Sequence, residues 1–401
     1  MSDLLTTGAE ISDLAQELSQ HDTISFDTEF IRENTFFPIV EILQVATESK
    51  SWLVDVQAFK GNKQALKPLL DVFTDPKILK IVHAAQGDQE CLYTAFGVTA
   101  SPSLDTAIAA SLCGYGDGVG LGNLLKTVLG VTIKKGHART NWSVRPLPKQ
   151  LLEYAHADVT HLVKLGRTLL AELDKRGRRE WALENTSQYE VHALYEPDPE
   201  GMALKVARGG RIDPRAYAAL IDLMKWREDR VRQVNVPRRW IADDQVLIDL
   251  AQVRPKDIDH LSTFRGLNKG EIKVSGEKIV SILNRASEAP SDQLPKLPHR
   301  QGQEAPNSAE AQMMDLLKCY VSILAAKHQV AMRHLLSTNF LLPLLRTQAK
   351  TPDDLVKEGL LTPSAARLIG EEILALLEGR RALSITKKSG RSAGVTVVEI
   401  S

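Results

Sequence analysis

The sequence predicts an α/β domain followed by two small all-α helical bundles, and three observations support this prediction. Before residue 195, short apolar runs such as ISFDTEF and ILKIVH alternate with helical patterns, as in a mixed sheet flanked by helices. Beyond that point the apolar periodicity is helical throughout. Two stretches rich in proline and polar residues, 195–201 and 286–309, are typical of linkers. The predicted domains are 1–195, 202–289 and 307–381, followed at 382–401 by a tail that forms either an ordered strand or a frayed end.

The composition is that of an ordinary folded protein. Hydrophobic residues make up 43% of the 401-residue chain and charged residues 25%, which excludes a disordered or collagen-like chain. No apolar run approaches the roughly 18 residues that a membrane span needs, and the first residues include acids where a signal peptide has basic ones. We therefore expect a cytoplasmic protein. The three cysteines lie far apart without a CxxC pair, which argues against a disulfide framework and a thiolate metal site.

Charge is distributed unevenly, although the chain as a whole is neutral with 50 basic and 50 acidic residues. Residues 1–130 hold 17 acidic and 8 basic side chains, whereas residues 131–180 hold 5 acidic and 11 basic ones. An acidic region beside a basic one suits metal ions bound next to phosphate groups.

Two acidic residues project from one face of the first predicted strand. In TISFDTEF, strand alternation places Asp27 and Glu29 on one face, and it assigns the opposite face to Ile24, Phe26, Thr28 and Phe30. Carboxylates about 6–7 Å apart repel each other. Such a pair forms either a solvated strand face or a site for a hard cation such as Mg²⁺ or Mn²⁺.

Other residues favour the metal site. Asp88 lies near the start of the helix after ILKIVH, where an acid either joins such a site or stabilises the helix terminus. Tyr154 and Asp158 lie four residues apart on one face of the predicted amphipathic helix PLPKQLLEYAHADVTHLVKLGRTLL. Four acids and a tyrosine, drawn from strand-like and helix-like elements, suit a two-metal site for phosphodiester cleavage.

Three motifs resemble those of the DEDD exonuclease superfamily, and within it the ribonuclease D family: DTEF at 27–30, HAAQGDQE at 83–90 and YAHAD at 154–158. The segments SLDTAIAASLCG (103–114) and ARTNWSVRPLPKQLLEYAHAD (138–158) extend the likeness over most of residues 20–180. The histidine subgroup would place its histidine at position 153, which is Glu153 here, and His156 is out of register. The resemblance is therefore to the tyrosine subgroup.

This resemblance implies a ribonuclease H-like α/β fold and a 3′-to-5′ exoribonuclease that releases nucleoside 5′-monophosphates, with transfer-RNA precursors as the leading substrate. Asp27, Glu29, Asp88 and Asp158 are expected to hold two Mg²⁺ or Mn²⁺ ions, and Tyr154 to orient the attacking water. The residues expected to contact RNA are Lys134, Lys135, Arg139 and Arg145, through phosphates, and Trp142, which either stacks on a base or fills the core. The alternatives are a DNA-directed exonuclease and a non-catalytic binding scaffold.

The first helical bundle resembles the HRDC module, a nucleic-acid-binding or protein-contact domain, over KWREDRVRQVNVPRRWIADDQVLIDLA and LSTFRGLNKGEIKVSGEKIVSIL. Its segment 225–240 holds six basic and two acidic residues, which indicates either phosphate binding or a solvated helix face. The arginines in question are Arg227, Arg230, Arg232, Arg238 and Arg239. The last bundle lacks the W-R signature and resembles only the divergent second HRDC repeat of the family.

Overall fold

The computed structural model of the chain describes residues 4–134, 136, 140–207, 212–296, 305–387 and 393–400. Lys135 and Arg139, both expected to contact RNA, lie outside these described residues. Among the helices within these ranges, none combines the length and the apolar character that crossing a membrane requires.

The amino-terminal domain is a mixed five-stranded sheet with helices on both faces. Its strands are β1 Thr23–Ile31, β2 Ile39–Ala46, β3 Ser51–Asp55, β4 Leu79–Val82 and β5 Ser103–Asp105. Its helices are α1 Gly8–Leu18, α2 Lys63–Thr74, α3 Gln86–Phe96, α4 Thr106–Cys113, α5 Leu121–Leu129, α6 Lys149–Thr160, α7 Leu162–Lys175 and α8 Arg179–Ser187. The strand order is β3-β2-β1-β4-β5, with β1 antiparallel to β2 and parallel to β4. The strand that carries the two predicted acids is therefore the centre of the sheet.

Strand β1 is covered on both faces. Ile24 and Phe26 are fully buried in the core formed with α1 and α2. On the opposite face, the hydroxyl of Ser25 donates to the carbonyl oxygen of Val159 in α6 at 3.0 Å. The predicted alternation is correct up to Glu29, where a bulge shifts the register between Glu29 and Phe30. Phe30, beyond that shift, is 37% exposed and is therefore not part of the core that Ile24 and Phe26 enter.

The single helix predicted over the third motif is two helices separated by His161. Helix α6 contacts β1, β2 and β3, whereas α7 contacts β1, β4 and α4. A Cβ at Gly166 would lie 2.8 Å from the side chain of Ile81, so α7 approaches β4 this closely only because residue 166 is glycine. The break at His161 lets the two helices cover different parts of the sheet.

The first helical bundle has its own apolar core. Its helices are α9 Pro199–Ala207, α10 Pro214–Val234, α11 Arg238–Ile241, α12 Asp244–Val253, α13 Ile258–Ser262 and α14 Lys269–Glu288. Helix α10 begins at a proline and is capped by Asp213, whose carboxylate accepts from the backbone N–H of Ala216 at 2.9 Å. Helix α9 begins inside the stretch predicted as a linker, and its Ala203 packs in the bundle core. The linker is therefore shorter than predicted.

The second helical bundle packs on the amino-terminal domain and shares its core. Its helices are α15 Ser308–His328, α16 Met332–Leu335, α17 Leu341–Arg346, α18 Pro352–Lys357 and α19 Pro363–Leu377. Val321 and Leu324 of α15 belong to the same buried cluster as Leu112 of α4 and Leu169 of α7. The guanidinium of Arg178 donates across the junction, to the carbonyl oxygens of Leu112 at 2.7 Å and His328 at 2.8 Å.

The tail is an ordered antiparallel hairpin of two strands, β6 Arg381–Lys387 and β7 Ala393–Glu399. Leu383 and Val397 pack against the shared core. The hairpin is thus attached to the second bundle rather than frayed. A further close approach lies at Gly114, whose φ is +89° and where a Cβ would lie 2.8 Å from the Cβ of Gln329.

Candidate active site

Three of the predicted carboxylates converge on the face of β1 that α6 covers. Ligand oxygens of Asp27, Glu29 and Asp158 all lie within 4.8 Å of one another. The first two come from β1 and the third from α6. The bond from Ser25 to Val159, the residue after Asp158, fastens this end of α6 to β1. The three oxygens are close enough to share one divalent cation.

Asp88 reaches the same cluster from α3. It is buried, and its Oδ1 accepts two hydrogen bonds from Thr28, from the backbone N–H at 2.9 Å and from the hydroxyl at 2.6 Å. Its charge also raises the pKa of Asp27, because the two carboxyls lie close together. Thr28 lies between the two acids of β1, and sequence reasoning gave it no role. No local pattern in the sequence shows this role, because strand alternation separates the Thr28 side chain from Asp27 and the contact with Asp88 depends on how α3 packs on β1.

Burial is the largest cause of a raised pKa at each of the four acids. Burial, and then the charges of Asp158 and Asp88, raise the pKa of Glu29 to about 9. Burial raises the pKa of Asp88 to about 7, and that of Asp158 to about 6 despite a hydrogen bond with Tyr154. Burial and the three neighbouring carboxylates raise the pKa of Asp27 well above its usual range. A divalent cation would offset this repulsion, and an all-carboxylate donor set suits Mg²⁺ or Mn²⁺.

Tyr154 lies one helical turn before Asp158, and the two side chains form a hydrogen bond. Burial, followed by the charges of Asp158 and Glu29, raises the pKa of the Tyr154 phenol. The phenol therefore stays protonated at neutral pH and acts as a hydrogen-bond donor rather than a base.

Two residues predicted to contact RNA are engaged inside the protein. Trp142 is 1% exposed and packs in an apolar cluster with Leu151, which is the second of its two expected roles. Arg145 binds both carboxylate oxygens of Asp55, at 2.7 and 2.8 Å, and reaches Glu41 at 3.3 Å. In this structure the buried ring of Trp142 is not available for stacking on a base, and the guanidinium of Arg145 is paired with carboxylates of the protein.

Among the other residues predicted to contact RNA, Lys134 has an almost fully exposed side chain whose Nζ lies 3.9 Å from the carboxylate of Glu153. Four of the five arginines in the segment 225–240 instead form ion pairs within the chain. The pairs are Arg227 with Asp244 at 2.7 Å, Arg230 with Glu271 at 2.9 Å, Arg232 with Glu196 at 3.3 Å and Arg238 with Glu228 at 2.6 Å. Counting charges within the segment overstated its free positive charge, because three of the four acidic partners lie outside the segment.

Comparisons with known proteins agree with this architecture. Residues 3–174 match a 3′-5′ exonuclease family, and residues 218–283 match the HRDC domain. Ribonuclease D of Nitrobacter hamburgensis is 33% identical over 96% of this chain and 97% of the relative. Ribonuclease D of Gluconacetobacter diazotrophicus is 33% identical over 95% of this chain and 94% of the relative. The chain belongs to the ribonuclease D family.

The fold of this ribonuclease D agrees with a solved structure. The Escherichia coli RNase D crystal structure matches it with a TM-score of 0.77 over 94% of this chain and 98% of that chain, at 24% identity. The predicted α/β exonuclease domain and the helical HRDC region after it are thus confirmed. Family membership makes the chain a metal-dependent 3′-5′ exoribonuclease that binds RNA, rather than a non-catalytic scaffold.

Proposed function

We propose that this ribonuclease D matures the 3′ ends of transfer-RNA precursors in the cytoplasm, releasing nucleoside 5′-monophosphates by two-metal hydrolysis. The observation that carries the proposal is the convergence of Asp27, Glu29 and Asp158, with Asp88 of α3 bonded to Thr28 between the first two acids. Such a cluster of buried acids has little stabilising value without cations.

These four acids would hold two Mg²⁺ or Mn²⁺ ions. Bound there, the cations would activate a water molecule and stabilise the leaving 3′ oxygen of the RNA. Thr28 keeps Asp88 in place through its two hydrogen bonds. Tyr154 forms a hydrogen bond with Asp158 at the edge of the cluster. From there its phenol oxygen would orient the attacking water.

A cavity next to Tyr154 supports binding of a nucleotide. Its volume is about 530 Å³, within the usual range for small-molecule sites, and it is lined by Thr132, Ile133, Lys134, Gln150 and Glu153 as well as by Tyr154 and Ala157. Lys134 supplies a positive charge at its rim. The Escherichia coli relative is described as acting in structured RNA processing. Transfer-RNA precursors combine a structured body with a single-stranded 3′ extension, which is the form of substrate that this site can accept.

A direct test compares three substrates in magnesium, in manganese and in excess EDTA. They are a transfer-RNA precursor labelled at its 5′ end, a circular RNA and a single-stranded DNA. We expect stepwise shortening of the precursor with release of 5′-monophosphates, an intact circle, and no cleavage in EDTA. Asp27→Asn should leave the precursor uncut. Cleavage of the circle at the linear rate, or undiminished activity in EDTA, would contradict the proposal, and faster cleavage of DNA would reassign the substrate.

A further inference from the structure

The loop between β1 and β2, residues 32–38, is held from outside the exonuclease domain by the first helical bundle. The side-chain oxygen of Asn235 accepts hydrogen bonds from the backbone N–H groups of Phe36 at 3.1 Å and Phe37 at 2.9 Å. Asn235 is the residue that ends α10, and its φ is +51°, a left-handed conformation that asparagine tolerates. One amide thus binds two successive peptide groups of the loop.

Two arginines of the bundle lie over the phenyl rings of the same loop. The guanidinium of Arg238 lies 4.8 Å from the ring centre of Phe36, and that of Arg232 lies 5.4 Å from the ring centre of Phe37. Both arginines are themselves fixed. Arg238 forms a two-bond ion pair with the buried Glu228, at 2.6 and 2.7 Å. We call Phe36, Phe37, Arg232, Asn235 and Arg238 the latch.

The loop is in turn bonded to the elements that carry the acids. It follows β1 directly, so Ile31, the last residue of that strand, is two residues beyond Glu29. Arg32 donates from Nε to the carbonyl oxygen of Phe36 at 3.0 Å and from Nη1 to Glu90 at 2.9 Å. Glu90 lies two residues after Asp88 on α3. The loop therefore connects the strand of Asp27 and Glu29 with the helix of Asp88.

We propose that the first HRDC bundle is a positioning part of the exonuclease active site, acting through the latch. By fixing loop 32–38, the latch sets how Asp88 on α3 stands relative to Asp27 and Glu29 on β1. Metal-dependent catalysis is sensitive to such placement, since a shift of about 1 Å can cost about 100-fold in rate. The proposal rests on the active site assigned above. It gives two arginines of segment 225–240, Arg232 and Arg238, a role other than phosphate binding.

Two substitutions of Asn235 separate loss of the hydrogen-bond acceptor from a change in the backbone. Asn235→Gly removes the amide acceptor and suits the left-handed backbone, so the fold should tolerate it. Asn235→Asp keeps an oxygen acceptor for the two N–H groups. Asn284→Ala is the matched control, because the Asn284 amide donates to the carbonyl oxygen of Lys256 within the same bundle. Phe37→Leu tests the latch independently by removing one ring.

The experiment follows cleavage of an RNA trinucleotide by the full-length variants, together with manganese binding and thermal unfolding. A trinucleotide is used so that contacts between the bundle and a long RNA play no part. We expect Asn235→Gly to lower kcat about 10-fold with little change in KM or unfolding temperature, and Phe37→Leu to lower kcat in the same direction. Asn235→Asp and Asn284→Ala should stay within about twofold of the wild type.

Wild-type kcat in both Asn235→Gly and Phe37→Leu would overturn the latch proposal, as would an Asn235→Asp variant as slow as Asn235→Gly. A rise in KM for long RNA alone would also overturn it, and would show instead that the bundle contacts the substrate. Absence of metal-dependent cleavage by the wild type is a different result, since it would contradict the active site itself.

Discussion

Each acid of the cluster gives up a proton less readily in the folded chain than in the unfolded one. The raised pKa values are about 6 for Asp158, 7 for Asp88 and 9 for Glu29. A folded state that binds more protons than the unfolded state loses stability as pH rises. This stabilisation is complete below the unfolded values near 4 and is lost as pH passes through the folded values.

We therefore predict that the metal-free protein becomes less stable between about pH 4 and pH 9. Thermal unfolding in EDTA across that range measures the effect, and manganese should raise the unfolding temperature most at the alkaline end. Asp27→Asn is the control, because removing one charge from the cluster should flatten the pH dependence. A metal-free unfolding temperature that increases over this range would contradict the repulsion inferred for the four acids.

Substitutions of Tyr154 and Asp158 should have different effects on manganese binding and on the rate of RNA cleavage. Asp158→Ala deletes a carboxylate from the cluster, so we expect weaker manganese binding and little activity. Tyr154→Phe removes one hydrogen bond beside the attacking water, which we expect to lower single-turnover cleavage by roughly 100-fold while leaving manganese affinity nearly unchanged. Titration of manganese into both variants, combined with cleavage of a short RNA, separates the two roles. Wild-type cleavage by Tyr154→Phe would reduce Tyr154 to a packing residue.

At the scale of elements, Arg145 joins the segment before α6 to the edge of the sheet. It binds Asp55 at the end of β3 and Glu41 in β2, and both carboxylates are largely buried. Removing the arginine would leave both largely buried carboxylates without their ion-pair partner. We predict that Arg145→Ala destabilises the protein by about 3 kcal/mol in denaturant unfolding. Arg167→Ala is the control, since its exposed pairs with Asp22 and Glu48 should contribute only about 0–1 kcal/mol.

The basic surface for RNA should lie near α6 rather than in segment 225–240. We predict that Lys134→Ala lowers the slope of log affinity against log salt by about one, since one fewer phosphate is neutralised. Arg230→Gln should leave that slope unchanged, because Arg230 is largely buried in a two-bond pair with Glu271, whereas the exposed Lys134 lies 3.9 Å from Glu153. Binding of a labelled RNA at several salt concentrations measures both. If Lys134→Ala and Arg230→Gln reduced the salt dependence of binding equally, the arginines of segment 225–240 would contact phosphates, as one of the two original interpretations had it.

Much of the site could be predicted because its residues obey local rules. Strand alternation correctly placed Asp27 and Glu29 on one face, and helical spacing placed Tyr154 and Asp158 one turn apart. The roles of Trp142 and Arg145 could not be predicted in this way. Their partners, including Leu151 and Asp55, are chosen by tertiary packing, which neither periodicity nor a count of charges reports.

At the scale of the whole molecule, the second helical bundle and the exonuclease domain share one apolar core. The helical periodicity of α15 and α19 predicted a separate bundle. Periodicity shows that a helix has an apolar face, but it does not show which other element covers that face. In the structure, that face packs on α4 and α7. Residues 307–381 were predicted as a separate domain. In the structure these helices share a buried core with α4 and α7 of the exonuclease domain, so their stability depends on those helices.

A chain shortened after residue 296 should therefore be unstable although it keeps every acid of the site. Exposing one fully buried leucine costs about 1.5–3 kcal/mol, so uncovering several of them removes most of a typical margin of stability. We expect an unfolding temperature lower by more than about 10 °C, or aggregation, in thermal scans. A chain ending at residue 381, which lacks only the hairpin, should be affected less. Equal stability of the 1–296 chain and the full chain would refute the shared core.

The contact between Gly114 and Gln329 has a consequence for the evolution of the family. The left-handed backbone at position 114 tolerates asparagine as well as glycine, but any Cβ there meets Gln329, the residue of the second bundle that follows α15. Relatives that retain the bundle should therefore be restricted to glycine at this position, whereas relatives that have lost it are free to exchange glycine for asparagine. An alignment that separates relatives with the second bundle from relatives without it would test this dependence. If it holds, the residue at position 114 indicates from sequence alone whether the bundle packs on the exonuclease domain.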